Sequence, residues 1–319
     1  MKTFILSAMA LLGSLTASAQ LVSITQSNTS NSATATQFFG TLANPNDTDI
    51  NQNGNYNDAD TFQWGLLNVS DVDQIGDDNS ADVTQFGIAN NAITYQYGDF
   101  NDSDIDQIGF NQDAEVEQLG NRNDSDVNQI GNSDVAMVIQ IGNQNRSDVN
   151  QIGSNNDGTV FQVGNRNRSD VDQLGTSNIT FSNQQGNRNA SDVFQNGDSN
   201  RTTLDQIGNR NRSDIDQVGD ANDALVSQAG NRNRNISNQE GDFNRNAIDQ
   251  QGNRHLSEVE QIGDYNKNYI LQQGSDHVAL VSQQGDQNCV KVFQYATGGP
   301  HFVTLTQTGN FNIACVFQN

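Results

Sequence analysis

From Gln52 to Gln294 apolar and polar positions alternate within short segments, and the segments recur every eleven residues. Gln holds every eleventh position of that span without a miss. Two residues before each Gln stands mostly Val, Ile or Leu, as at Val72, Val83, Ile105, Val116, Val127, Leu204 and Ile215. Four before it is a small residue, such as Ala81, Ser125, Ser147, Ser169 or Ser213. Gly follows two residues after, from Gly54 to Gly285, and Gly76, Gly87, Gly98, Gly109 and Gly120 are read as turn glycines. Asn usually stands five after, as at Asn79, Asn101, Asn123, Asn145 and Asn167, with Gln112, Asp134, His255 and His277 among the exceptions. In the unit from Ser169 to Ile179, Ser, Val, Gln and Gly share one face while Asp, Asp and Leu share the other. Alternation over about six residues predicts a strand. The Gly-x-x-Asn after it supplies residues tolerant of positive φ and predicts a tight turn.

The outward positions set the length of one coil. Three before the Gln, alternate repeats read Asp104, Asp126, Asp148, Asp170, Asp192 and Asp214, while those between read Glu115, Met137, Thr159, Phe181, Thr203 and Leu225. Arg122, Arg166, Arg188, Arg210, Arg232 and Arg254 keep the same beat in the turns, with Gln144 at the missing step. Two unlike strands per coil produce this pattern. The expected fold is all-β, a β-solenoid of stacked 22-residue coils, each made of two 11-residue strand-turn units, with two facing parallel sheets. Stacking places like side chains about 4.8 Å apart. A buried amide is costly alone but satisfied in a ladder. Gln74, Gln85, Gln96, Gln107, Gln118, Gln129, Gln140, Gln151, Gln162 and Gln173, with the Asn positions above, are therefore candidate self-assembly ladders.

The register slips twice, over fifteen residues from Gln37 to Gln52 and thirteen from Gln294 to Gln307, and the only two prolines, Pro45 and Pro300, lie in those gaps. Proline cannot donate to a ladder, which suits an insertion. The expected organisation is a leader at 1–19, an uncharged segment with partial repeats at 20–49, the repeat solenoid at 50–296, and an insertion with an uncharged repeat unit at 297–319. Gln20 to Asn46 carries no charge, and His301 to Asn319 none beyond His301. Solenoids ordinarily cap or charge their ends, because an open edge templates pairing. The reverse arrangement here makes Gln26, Gln37, Gln307 and Gln318 candidate growth tips.

Composition alone points to disorder, with 33% apolar residues and a formal charge of −23; the strict register overrules it. The acidic balance disfavours nucleic acid and anionic membranes as partners. Lys2, the apolar run Phe4 to Leu12 and Ala17-Ser18-Ala19 form the pattern of a secretory signal peptide, too short to span a bilayer. No membrane insertion is expected. Cys289 and Cys315 leave a late disulfide open. No catalytic constellation, cofactor motif or metal site is expected: His255 and His277 fall one coil apart and would stack, which reads as substitution at a variable turn position.

The pattern Ser-x5-Gln-x-Gly-x4-Asn-x5-Gln is close to the curlin repeat, and Ser-x-x-x-Gln-x-Gly-x-x-Asn-x-Ala/Ser fits better still, as at Gln74-Ile75-Gly76-Asp77-Asp78-Asn79-Ser80-Ala81. From about residue 50 to 319 the chain resembles a curlin-family protein. The resemblance implies a non-enzymatic curli subunit, exported through a dedicated outer-membrane channel and polymerising with itself outside the cell. It further implies a nucleator subunit as partner, a cell-surface fibre, and a part in biofilm matrix and adhesion; it leaves open whether this chain is a major subunit or a nucleator. Ile108, Leu119, Ile130, Ile141 and Ile152, one after the Gln, depart from the pattern and would form an outward apolar column suited to lateral packing. The alternative is a monomeric β-solenoid adhesin or a surface- or ice-binding protein. Ice binding would call for a regular outward Thr array, and the outward columns here mix Asp, Thr and Phe.

Overall fold

The computed structural model describes residues 20–39, 44–295 and 299–319. The expected leader at 1–19 lies outside them. All regular structure among the described residues is β. The chain divides into two units, residues 1–155 and 156–319.

In the first unit, twelve strands run from Gln20–Ser27 to Arg146–Ser154. Alternate strands belong to opposite sheets, and each pairs in parallel with the strand one coil away. Pairing is in register: Ser125 lies beside Ser147, Val127 beside Val149, Gln129 beside Gln151, and Asp126 beside both Asp148 and Asp104. The second unit repeats the plan with fifteen strands, from Asp157–Asn165 to Ile313–Gln318. There Asp170 and Asp214 flank Asp192 on one sheet, while Phe181 pairs with Thr159 and Thr203 on the other. Each unit is thus a β-solenoid of 22-residue coils with two parallel sheets.

The alternation decides what is buried. Val127, Val149, Leu204 and Ile215 are fully enclosed, as are Ala92, Ala114, Ser169, Ser213 and the ladder glutamines between the tips. A side chain as large as Val or Ile contributes about 1.5–3 kcal/mol by leaving water. The core is nonetheless half polar, so its stability depends on amide partners as well as on apolar area. Outside, stacked carboxylates repel. Arg168 reaches Asp170 at 3.2 Å and Arg254 reaches Asp276 at 2.6 Å; such exposed pairs contribute little.

The turn differs from the expectation in one respect. The glycine does take positive φ, from 110 to 144° along Gly54–Gly285, but the second left-handed residue is the one before the Asn. Arg122, Arg188, Arg210 and their equivalents sit at φ near 60°. The Asn is drawn inward by the ladder described below and is buried. The left-handed residue loses roughly 1–2 kcal/mol of backbone preference. Its N–H is used in return, Arg210 donating to the Asn187 carbonyl at 3.0 Å.

The two insertions leave the stacking intact. Gln26 pairs with Gln52 and Gln37 with Gln63, while Gln283 pairs with Gln307 and Gln294 with Gln318. Residues 40–43 and 296–298, within the two gaps, lie outside the described residues, and both uncharged ends form strands in register rather than fragments.

Candidate functional site

The glutamine ladders have a direction. Within the first unit Nε2 donates to the Oε1 of the next Gln toward the C-terminus, Gln52 to Gln74 at 2.8 Å, Gln74 to Gln96 at 2.9 Å, Gln96 to Gln118 and Gln118 to Gln140 at 3.0 Å. On the opposite sheet Gln63, Gln85, Gln107, Gln129 and Gln151 are linked the same way at 2.8 Å. In the second unit Gln162 donates to Gln184 at 2.8 Å and Gln173 to Gln195 at 2.9 Å. The second amide proton goes to a backbone carbonyl of the facing sheet, as from Gln96 to Ser80 at 2.7 Å, Gln140 to Asp124 at 3.0 Å and Gln151 to Val135 at 2.8 Å. A primary amide has two donor protons, and one ladder step uses both.

The asparagines close the turns. Asn101 donates both its N–H (3.0 Å) and its Nδ2 (3.1 Å) to Asn79 Oδ1, and Asn123 and Asn145 repeat the arrangement on Asn101 and Asn123. The same Nδ2 reaches the glycine carbonyl of the next coil, Asn79 to Gly98 at 2.7 Å and Asn167 to Gly186 at 2.9 Å. That approach explains the glycines. A Cβ on Gly76, Gly87, Gly98, Gly109 or Gly120 would lie 1.7–2.1 Å from the carbonyl oxygen of the glycine one coil on.

The two ends are complementary. At the N-terminal end Gln26 and Gln37 spend their donors inward, on Gln52 at 2.7 Å and Gln63 at 2.8 Å. The Oε1 of Gln37 is buried with no partner. At the C-terminal end Gln307 and Gln318 accept from Gln283 and Gln294, at 3.1 and 2.9 Å. Each spends one proton on a carbonyl, Cys289 O or Phe302 O, and among the described residues no later glutamine takes the other. Around these amides Leu21, Val22, Phe302, Ile313 and Phe317 are exposed.

The apolar column anticipated one residue after the Gln is present, with Ile108, Ile130 and Ile152 in register and exposed, and Leu119 beside Ile141 on the other sheet. Cys289 lies beside Ile313 and Cys315 beside Lys291, and both thiols are free.

His301 was missed as a member of the histidine column. His255, His277 and His301 stack with ring centroids 5.1 and 5.0 Å apart. The insertion at Pro300 hides this in a count of elevens, yet each His stands six residues before its ladder Gln. The rings take the Asn role. Nδ1 of His255 accepts the His277 N–H (3.3 Å), and Nδ1 of His277 accepts the His301 N–H (3.0 Å). Nε2 faces the carbonyls of Gln251, Gln273 and Tyr295 at 3.2, 2.9 and 3.0 Å. Only the neutral ring with its proton on Nε2 satisfies both contacts, and then neither nitrogen has a lone pair free for a metal. Burial, chiefly, holds the pKa of His255 and His277 below the usual histidine value. A lowered folded pKa means full stability above the unfolded value of about 6.5, lost as pH falls below it. We expect the protection of the Leu256 and Val278 amides from hydrogen exchange, measured relative to the intrinsic exchange rate at each pH, to fall between pH 7.5 and 5.5, and the double change His255→Asn, His277→Asn to abolish that fall; an unchanged acid response in the Asn variant would refute the assignment. The acidic column has the opposite sign. Burial, then Asp106, Asp126 and Asp82, push Asp104 up to about 6, so mild acid relieves repulsion in the first unit.

A family model described as the curlin associated repeat matches residues 43–87, 89–120, 120–153, 153–181 and 208–234, just over half of the chain. No curated protein matches it.

Proposed function

The chain belongs to the family defined by the curlin associated repeat, and on that premise we propose that it is an exported structural subunit that joins copies of itself into an extracellular curli-type fibre. The family and the fold are structural rather than enzymatic. One observation carries the reading: the ladders run out at uncharged ends, with an orphaned acceptor on Gln37 at one and unspent donors on Gln307 and Gln318 at the other. Joining the ends satisfies those groups and covers the exposed Leu21, Phe302 and Ile313. Open edges of this kind template addition of another chain. The proposal extends to a major-subunit role in biofilm matrix and adhesion, with an outer-membrane channel and a nucleator subunit as partners.

Protein purified without its first nineteen residues should convert from soluble chain to thioflavin-binding fibres after a lag, and preformed fibres should abolish the lag. A preparation that stays monomeric for days at high concentration would instead favour a monomeric adhesin.

A further inference from the structure

The two sheets are not level with each other. Thr48 Oγ1 lies between two rungs of the facing ladder, 2.9 Å from Gln37 Nε2 and 3.1 Å from Gln63 Oε1. In the second unit Ser182 is bonded to both Ser169 and Ser191, each at 3.1 Å, and Thr180 bridges Gln173 and Gln195 at 3.3 and 3.0 Å. Successive strands therefore interleave, each about 2.4 Å further along the stack than the one before, half of the usual strand spacing.

An end built this way is stepped. The first strand, Gln20–Ser27, stands proud of the second, Ser32–Phe38; the last, Ile313–Gln318, stands proud of the one before it, Phe302–Thr308. Exposure follows the steps: Gln37 and Gln307 on the recessed strands are 8% and 6% exposed, while Gln26 and Gln318 on the proud strands are more open. Two proud strands placed against each other at one spacing would hold the recessed strands about 10 Å apart, a whole rung missing. A proud strand set into the opposing recess closes both sheets at one spacing.

We propose that copies of this chain join in that stepped way, the first strand of one copy resting on the Phe302–Thr308 strand of its neighbour and the second strand on the Ile313–Gln318 strand. Gln307 Nε2 then donates to Gln26 Oε1 of the next copy, and Gln318 Nε2 to the orphaned Gln37 Oε1. The inward side chains support the same choice. With the glutamines aligned, Val22 meets Val303, Ile24 meets Leu305 and Ala33 meets Ala314, like size on like, and Ala35 on Val316 is the one unequal pair of the four. Proud-on-proud pairing would set Val22 on Ala314, Ile24 on Val316 and Ala35 on Leu305, leaving steps in volume that a close-packed core does not tolerate well. This inference rests on the self-assembly reading and specifies the joint between copies.

Cysteine pairs test it in a Cys289→Ser, Cys315→Ser background. Directly stacked residues one strand spacing apart lie within disulfide reach. Fibres of a chain carrying Thr25→Cys with Thr306→Cys, or Thr36→Cys with Phe317→Cys, should oxidise into a ladder of covalent oligomers on a denaturing gel. The crossed pairs, Thr25→Cys with Phe317→Cys and Thr36→Cys with Thr306→Cys, should run as monomer. All four positions alternate with inward glutamines and point outward, and thioflavin fluorescence seeded by unmodified fibres checks that each variant assembles. Cross-linking in the crossed pairs, or in none while fibres form, overturns the stepped joint and leaves self-assembly standing. Absence of fibres from the cysteine-free parent itself overturns both.

Discussion

Changing Gly186 to alanine is expected to unstack the coils around it, at a cost beyond about 4–5 kcal/mol, the range reserved for substitutions that a core cannot absorb. The added Cβ would lie 2.0 Å from the Gly208 carbonyl oxygen and 2.9 Å from its carbon. Both are backbone atoms, so no rotamer change relieves the collision. The glycine φ of 118° adds strain of its own. Two residues on, Arg188 sits at φ 59° with an exposed side chain. There Arg188→Gly removes a left-handed penalty and should be neutral or mildly stabilising. Guanidinium unfolding of the two variants beside the parent separates the cases. Equal losses would mean that close backbone approach is not what requires glycine at 186.

The second large effect is expected at Gln217, changed to alanine. Its Nε2 donates to Gln239 at 2.8 Å and to the Arg201 carbonyl at 3.1 Å, and its Oε1 accepts from Gln195 at 2.8 Å and Thr202 at 3.0 Å. Truncation strands four polar partners in a site closed to water. With about 1–3 kcal/mol for each unsatisfied group, and partial relaxation, the loss should be on the order of 5 kcal/mol. Gln251, an outward glutamine bonded to Asp249 and Gln273, serves as the comparison. Its alanine variant should stay within about 0.5 kcal/mol of the parent. A Gln217→Ala protein as stable as Gln251→Ala would remove the amide ladder from the account of stability and leave the valine and isoleucine core to carry the fold.

Both predictions concern groups whose positions were legible in the sequence but whose partners were not. Gly186 and Gln217 stand out in the repeat because nothing else occupies their columns between Gln52 and Gly285. That Gly186 faces the carbonyl of Gly208, and that Gln217 is a directed rung with two donors and two accepted bonds, follows from distances between coils. The turn shows the same division. Gly-x-x-Asn marked a reversal correctly, yet the left-handed residue proved to be the one before the Asn, because the Asn side chain is committed to its neighbour one coil away.

By itself the sequence determined the class of fold, the 22-residue coil and the identity of the inward face. Period-two alternation admits one register per strand, since a slip of one residue turns every buried side chain outward, and an eleven-residue spacing kept over hundreds of residues leaves no other way to stack. Only the tertiary structure decided the direction of the amide ladders, the half-step offset between facing sheets, the union of His301 with His255 and His277 across an insertion, and the separation of Cys289 from Cys315. Each of these depends on which atoms of successive coils come within hydrogen-bond or contact distance. That relation is set by the pitch of the stack and by where the inserted residues leave it, neither of which is written in any single repeat.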